Sequence, residues 1–382
     1  MNWLSQSFEL TRGESGRNLR PMEGLRGFAV FLVFLVHYAT FVGPWVAPGS
    51  LLGAFVRAIH IIGNAGVDLF FVLSGYLIYG SLISRKQSFS RFMLRRIERI
   101  YPAFLAVFSG YILLSFLVPS ESKIPAPLLS GIIYLGQNLL LLPGLLPIEP
   151  IITVAWSLSY EMFYYLVIPL IIALFALRRR STKWRLYFFS FIAMGGGVYC
   201  ALFGGPVRLL MFISGILLHE TMERRRVRAP GGAFALFGLC AGLAGTLLPW
   251  QGSGASAIKT AILFVCFFTL CFSCFSYPTS WLGWLFSWTP LRWLGNMSYS
   301  YYLLHGISLK AAFLGLGFWL PVAERGAVFF WEWLPVMFAL TLVPTTALFL
   351  WIERPFSLTP PRLRNAGRAP LGISTATPSP QS

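Results

Sequence analysis

Long apolar stretches alternate with short polar or basic loops along this chain. A stretch of about 20 apolar residues crosses the hydrocarbon core of a bilayer as a helix, and about ten such stretches occur here. The alternating ten-residue strands of an outer-membrane barrel are not seen. The pattern predicts an all-α fold, a polytopic membrane bundle of about ten transmembrane helices, with spans at 27–46, 61–83, 102–118, 154–177, 186–204, 207–221, 232–250, 259–277, 295–317 and 332–351.

The composition and charge agree with this class. Of 382 residues, 56% are hydrophobic and 11% are charged, whereas about a quarter of a soluble domain is charged. A net charge of +17 would suggest nucleic acid as the partner of a soluble protein. Here the basic residues lie mainly in the loops between apolar stretches, so we expect no such partner. Because basic loops stay in the cytoplasm, we predict both termini there. All but six of the 30 Lys and Arg residues then face the cytoplasm, the exceptions being Arg57, Lys123, Arg208, Lys259, Lys310 and Arg325.

One apolar segment and the two chain ends complete the organisation. Residues 127–142 precede a loop without basic residues, and a crossing there would carry the basic loop at 178–185 outside, so we predict a re-entrant or interfacial segment. Residues 1–19 form a polar N-terminal segment, 20–356 the membrane domain, and 357–382 a disordered cytoplasmic tail rich in Pro, Ser and Thr. The five Cys residues lack the spacing of a zinc site, so no metal is expected.

Four titratable side chains lie within the predicted spans: His37, Asp68, Glu161 and His305. Such a residue costs about 2.5–3.5 kcal/mol at a helix centre on insertion scales, so it usually faces a bundle interior or a wet cavity. Each could instead be a hydrogen-bonded core residue or one half of a structural ion pair. Together they suggest that four titratable groups meet at one cavity.

Helical spacing groups further polar residues with these four. Arg26 and His37 are eleven residues apart, which places them on nearly the same helix face about 16 Å apart. Ser157 and Glu161 share a face at an interval of four residues. Asp68 and Gly75 share one at an interval of seven, and Tyr301 and His305 share one at an interval of four. The first pair suggests a groove that a ligand could follow.

Six motifs in order over residues 20–356 resemble the acyltransferase-3 family of integral membrane acyltransferases. Members O-acylate bacterial surface polysaccharides, peptidoglycan, lipid-linked sugars or secreted small molecules, so the resemblance implies a multi-pass protein of the bacterial cytoplasmic membrane. The six motifs are "RPMEGLRGFAVFLVFLVH", "GVDLFFVLSGYLI", "RFMLRRIERIYP", "WSLSYEMFYYLVIP", "LGNMSYSYYLLH" and "IERPF".

The family motifs carry over to particular residues of this chain. The resemblance implies an essential pair, Arg26 and His37. The acidic motif of the family falls on Asp68, Phe71, Ser74 and Gly75. Its basic loop falls on Arg95, Arg96 and Arg99, and its Trp-Ser motif falls on Trp156, Ser157 and Glu161. Met162 and Leu304 depart from the family pattern, and the second departure weakens a role for His305.

Acyl transfer from a CoA thioester to a hydroxyl needs a base, oxyanion donors and a cationic site for phosphates. Histidine titrates near neutrality, so His37 suits the base, with Asp68 or Glu161 to orient it. Guanidinium groups bind phosphate oxygens bidentately, so we expect acyl-CoA, most simply acetyl-CoA, at Arg26, Arg95, Arg96 and Arg99. The remaining candidates are assigned to a substrate cavity: Phe71, Ser74, Gly75, Trp156, Ser157, Tyr301 and His305.

The hypothesis is therefore a membrane O-acyltransferase with acyl-CoA as co-substrate, no bound cofactor, and a saccharide or glycoconjugate acceptor. Direct transfer is favoured over an acyl-enzyme, although Ser74 leaves the second route open. A rival is a proton-coupled transporter or exporter of a lipid-linked sugar or small solute, in which the same His, Asp and Glu residues relay protons. Acceptor identity and oligomeric state leave no mark in the sequence.

Overall fold

The computed structural model describes residues 3–10, 20–47, 49–224 and 227–358, and within these ranges the regular structure is helical. Most of the predicted N-terminal segment and residues 359–382 of the predicted tail lie outside the described residues. Fifteen α-helices are followed by a π-helix, Phe349–Leu358. The α-helices are α1 (Trp3–Phe8), α2 (Arg20–Val42), α3 (Leu51–Gly63), α4 (Ala65–Ser84), α5 (Phe89–Leu117), α6 (Leu128–Leu139), α7 (Trp156–Leu174), α8 (Thr182–Phe203), α9 (Leu210–Glu223), α10 (Gly232–Gly245), α11 (Gly252–Ser276), α12 (Trp281–Leu285), α13 (Thr289–Asn296), α14 (Ser298–Trp319) and α15 (Ala327–Leu348).

Seven helical stretches in the described part of the chain are long and apolar enough to cross a membrane, compared with about ten predicted spans. The other three predicted spans correspond to α9, α10 and α14. Helices α9 and α10 have 14 residues each, or about 21 Å, which is short of the roughly 30 Å hydrocarbon core. Helix α14 is long enough at 22 residues, but its Ser, Tyr, His and Lys residues reduce its hydropathy. The membrane fold class is confirmed, whereas the count of ten is not.

The segment predicted to be re-entrant contains α6. Its 12 residues rise about 18 Å, too little to cross a bilayer. Several of its apolar side chains are exposed, among them Leu128 and Leu129. A turn-rich segment then returns the chain to α7. Re-entry into the membrane remains a prediction.

The basic clusters lie together at one end of the bundle. Arg178, after α7, donates two hydrogen bonds to the carbonyl oxygen of Leu82 near the end of α4. Arg354, in the π-helix, donates to the carbonyl oxygen of Gln6 in α1. The described N-terminal helix and the π-helix are therefore at the same end of the bundle, and the placement of the termini remains a prediction. The compartment that this end faces remains a prediction.

Helices α4 and α9 are in backbone contact. A β-carbon on Gly75 would lie 2.1 Å from the carbonyl oxygen of Phe212, and one on Gly215 would lie 2.0 Å from that of Val72. Small residues let membrane helices approach this closely. The structure therefore places Gly75 against α9, and its assignment to the substrate cavity is not supported.

Helix α2 lies between the two buried clusters of apolar side chains. Leu25, Ala29 and Val33 pack in the larger cluster, whereas Val30 and Phe34 pack in the smaller one with α14 and α15. Both clusters therefore fix the rotation of α2 about its axis. That rotation sets where Arg26 and His37 point.

Candidate active site

Five helices, α2, α4, α5, α7 and α14, enclose a cavity of about 140 Å³ that we call the arginine cavity. Three guanidinium groups and one carboxylate, Glu161, line it, so its lining carries excess positive charge. Seven of the sequence-predicted site residues line this cavity: Arg26, Phe71, Ser74, Arg96, Arg99, Ser157 and Glu161. A cavity of this charge can hold an anion such as phosphate.

Two of these guanidinium groups are held by neighbouring side chains. Arg26 donates a hydrogen bond from Nη2 to Oγ of Ser298, at 2.8 Å. Arg99 forms an ion pair of 2.7 Å with Glu353, which is fully buried. The other carboxylate oxygen of Glu353 accepts hydrogen bonds from the backbone N–H and the hydroxyl of Ser300, at 3.0 and 2.6 Å. The side chain of Glu353 thus orients Arg99.

Arg96 differs from Arg26 and Arg99 in its contacts. Its guanidinium carbon lies 5.4 Å from the ring centre of Phe92 and 5.6 Å from that of Tyr165. Its buried Nε has no hydrogen-bond partner among the described residues, and its side chain lines the cavity. Arg95 is exposed and does not line the cavity. Its assignment to the phosphate site is therefore not supported.

Glu161 lies in the arginine cavity and contacts hydroxyl groups. Its Oε1 accepts hydrogen bonds from the hydroxyls of Ser74, at 3.2 Å, and Tyr165. No hydrogen bond or ion pair of the described residues joins it to His37. The expectation that Glu161 orients His37 is not met.

Asp68 is paired with a basic residue that we predicted on the outer side of the membrane. Its Oδ1 lies 3.6 Å from Nε of Arg208, and the guanidinium of Arg208 lies over the ring of Trp156, 5.5 Å from its centre. Asp68 is buried, so this ion pair offsets part of its desolvation. The structure pairs Asp68 with Arg208 and not with His37. Trp156 lies beside Arg208 and does not line the arginine cavity.

The partner of His37 is His305. The Nδ1–H of His37 is shared between the carbonyl oxygen of Val33, at 2.9 Å, and Nε2 of His305, at 3.2 Å. The Nδ1–H of His305 is donated to the carbonyl oxygen of Tyr301, at 2.9 Å. Because a carbonyl oxygen can only accept, both rings carry their proton on Nδ1. Nε2 of His37 is then unprotonated and can accept a proton.

Tyr301 supports this histidine pair instead of lining a cavity. Its ring is stacked on His305 with 5.4 Å between ring centres, and its hydroxyl is hydrogen-bonded to that of Thr341, at 2.8 Å. Tyr301 and His305 are both fully buried. The structure therefore places both residues behind His37 and not in a cavity wall.

His37 lines a second cavity of about 580 Å³, which we call the histidine cavity. Other polar residues here are Thr40, His60 and Ser115. Lys310 and Glu121 form an ion pair at this cavity with both side chains well exposed. The two cavities share no lining residue, so the four titratable groups do not meet in one space as expected.

Four residues of the site were not singled out from the sequence: Arg208, Ser298, Tyr302 and Glu353. The signal for Glu353 was its motif, "IERPF", where an acid ends an apolar stretch. Arg208 was counted only for its charge, although it stands alone among apolar residues. Ser298 and Tyr302 carry no charge, so only their position near His305 could have marked them. Among the described residues, no group of three or more His, Cys, Asp or Glu side chains is arranged to hold a metal ion.

Comparison with known proteins adds an independent observation. YrhL of Bacillus subtilis, named as a peptidoglycan O-acetyltransferase, is 26% identical over 89% of this chain and 55% of its own length. OatA of Staphylococcus aureus, named as an O-acetyltransferase, is 27% identical over 76% of this chain and 50% of its own length. The acyltransferase MdmB of Streptomyces mycarofaciens is 34% identical over 40% of this chain and 38% of its own length. No solved structure is significantly similar.

The matches to YrhL and OatA cover a larger share of this chain than of the relative. The chain spans about half the length of the curated relatives it matches. The model of the acyltransferase-3 family, described as an acyltransferase domain, matches residues 21–352, which include both cavities. The chain therefore belongs to the acyltransferase-3 family.

Proposed function

We propose that this protein is a membrane O-acyltransferase that moves an acyl group, most simply acetyl, from acyl-CoA to a hydroxyl of a saccharide or glycoconjugate. The observation that carries the proposal is the pairing of Arg26 and His37 on α2. Arg26 lines the small basic cavity, and His37 presents an unprotonated nitrogen at the larger one. One helix thus carries a phosphate-binding group and a base.

The acceptor class is supported by the names of the relatives. YrhL is named for peptidoglycan and OatA for O-acetylation. The histidine cavity, at about 580 Å³, is within the range of small-ligand sites, so it has room for a sugar unit. We assign the acceptor to this cavity and place the protein in the bacterial cytoplasmic membrane, with the histidine cavity on the outer side.

The donor site is assigned to the arginine cavity. Arg26, Arg96 and Arg99 would bind the phosphates of acyl-CoA, because guanidinium matches phosphate oxygens bidentately. The free Nε–H of Arg96 supports this role, since a buried donor without a partner gains most from a ligand that accepts from it. The acyl-CoA would enter from the basic end of the bundle, which we place in the cytoplasm.

The chemistry follows from the tautomer of His37. Its Nε2 takes the proton of the acceptor hydroxyl as the oxygen attacks the thioester carbonyl carbon. The new C–O bond forms, the C–S bond breaks, and the proton passes from Nε2 to the departing CoA sulfur. His305 accepts from Nδ1–H of His37, so it holds the ring in the tautomer that leaves Nε2 free, which is the orienting part of the role that a carboxylate has in a catalytic triad. His305 is therefore a positioning residue.

The test replaces His37 with Ala in membranes of equal protein content. Acetyl transfer from acetyl-CoA to soluble peptidoglycan glycan fragments is measured together with release of CoA thiol. We expect a fall of about 10²–10⁴-fold in transfer, the usual contribution of a general base. His60→Ala is the matched control, because His60 lines the same cavity and is exposed. Undiminished transfer by His37→Ala would refute the mechanism.

A proton-coupled transporter is the second candidate, and the hydrogen-bonded pair of His37 and His305 favours it. Titratable side chains inside a membrane bundle can relay protons. The same assay distinguishes the candidates. Solute uptake into vesicles that depends on a proton gradient, without release of CoA thiol, would establish the transporter instead.

A further inference from the structure

A pair of hydroxyl groups separates the two cavities. Ser157 and Tyr302 line the arginine cavity, and their oxygens are 2.8 Å apart. Both hydroxyls also contact the carbonyl oxygen of Val154, at 3.3 and 3.1 Å. Val154 itself lines the histidine cavity. These three residues, which we call the partition, therefore face one cavity on each side.

The hydrogen bonds that hold the partition together can change partners. The hydroxyls of Ser157 and Tyr302 have two protons between them, whereas three oxygen–oxygen contacts join them to each other and to Val154. One contact therefore always lacks a proton. Val154 belongs to a short 3₁₀ turn, Thr153–Ala155, and Ser157 to the first turn of α7. Separation of the two hydroxyls does not require any long helix to unwind.

The position of Tyr302 connects the partition to the base. Its ring lies 6.0 Å from that of His305, which holds His37, and 6.2 Å from that of Phe70, which lines the arginine cavity. Ser157 and Tyr302 are both buried. Tyr302 therefore lies between the wall of the arginine cavity and the residue that supports His37.

We propose that Ser157 and Tyr302 select the donor by the length of its acyl group. The inference rests on the proposed function: with phosphates at the arginine groups and the base in the histidine cavity, the thioester carbon must cross the partition. A short acyl group passes between the parted hydroxyls, which can then donate hydrogen bonds to its carbonyl oxygen. A longer chain places methylene groups between the two hydroxyls, which then lose their mutual hydrogen bond without gaining another, so it binds poorly.

The experiment measures binding of unreactive donor analogues to the full chain in lipid nanodiscs. Ethyl-, butyl- and hexyl-CoA thioethers are titrated by calorimetry. For the wild type, we expect affinity to fall at least tenfold from the ethyl to the hexyl compound. The double variant Ser157→Ala, Tyr302→Phe removes both hydroxyls and keeps the rings, so the fall should shrink to twofold or less. Binding of CoA without an acyl group by the double variant shows that its donor site is folded.

Two further variants make the test specific. Tyr299→Phe removes a hydroxyl that lines the same cavity but donates to the carbonyl oxygen of Ile100, and its chain-length profile should match that of the wild type. Ser157→Thr keeps the hydroxyl and adds a methyl group, so butyl-CoA should bind at least fivefold more weakly. Coinciding profiles for the wild type and the double variant would overturn the selection role alone. Failure of ethyl-CoA to bind the wild type would overturn the proposed donor site as well.

Discussion

The arginine and histidine cavities lie in one bundle but are built in opposite ways. In the arginine cavity, a charged side chain is held by a fully buried partner, as Arg99 is by Glu353. In the histidine cavity, the ion pairs are at the exposed rim, as with Lys310 and Glu121, and His37 is held by local and ring contacts. The first cavity is thus preorganised around charge, and the second is larger and less constrained.

This difference fits the two substrates proposed. A nucleotide phosphate is the same for every acyl-CoA, so a fixed set of guanidinium groups can bind it. A saccharide acceptor varies in size and substitution, so its cavity needs room and few fixed charges. Variants should therefore have large effects in the first cavity and small ones at the rim of the second.

The largest effect is expected for Glu353→Ala. Its removal leaves the guanidinium of Arg99 without its anion and the backbone N–H of Ser300 without its acceptor. Breaking a buried pair from one side costs about 3–5 kcal/mol, and the partial exposure of Arg99 favours the lower figure. The temperature of thermal unfolding in nanodiscs and the affinity for ethyl-CoA should both fall. Glu332→Ala, at an exposed position of α15, is the control, and equal melting temperatures of the two variants would contradict the role of Glu353.

The next effect is expected for Arg96→Ala. Loss of one charge-assisted hydrogen bond to a donor phosphate is worth about 1.5–3 kcal/mol, so the KM for acetyl-CoA should rise roughly 10- to 100-fold. The KM for the acceptor should not change, because Arg96 does not line the histidine cavity. The neighbouring exposed Arg95→Ala should change neither constant by more than twofold. A similar rise for both variants would show that surface charge alone attracts the donor.

A smaller effect is expected at His305. Replacement with Asn keeps a hydrogen-bond acceptor near Nδ1–H of His37, whereas replacement with Ala removes it. Loss of one such hydrogen bond, worth about 1 kcal/mol, predicts a fall in kcat of about fivefold for His305→Ala. His305→Asn should recover most of this loss, with the KM for acetyl-CoA unchanged in both. Equal kcat values for Ala and Asn would indicate that His305 only fills space.

The smallest effect is expected for Lys310→Ala at the rim of the histidine cavity. Exposed ion pairs contribute about 0–1 kcal/mol, so stability should be nearly unchanged. Transfer to the glycan fragments should stay within about twofold of wild type. A tenfold loss of transfer at unchanged stability would show that the rim binds the acceptor, and the contrast between the cavities would no longer hold.

Features set by contacts along one helix could be predicted from the sequence. The spacing of Arg26 and His37 follows from helical geometry alone, and the structure agrees that each faces a cavity. The membrane class and the placement of basic clusters at one end also follow from local composition. These inferences need no knowledge of which helices are neighbours.

Features set by the packing of distant helices could not be predicted. The ion pair of Asp68 with Arg208 joins residues far apart in sequence, and two carboxylates were equally plausible partners of His37 until α14 brought His305 to it. The role of Gly75 depends on the approach of α9. The polar residues of α14 lower its hydropathy below that of a typical membrane span. Two of them, Tyr301 and His305, support His37.

The pairing of Arg99 with Glu353 has a consequence for biosynthesis. The two residues are 254 positions apart, and Glu353 lies in the last helical segment that the structure describes. During translation, the guanidinium group reaches the membrane long before its anion is made. The proposed donor site of a nascent chain is therefore incomplete until that final segment has docked, because Arg99 lacks the carboxylate that orients it.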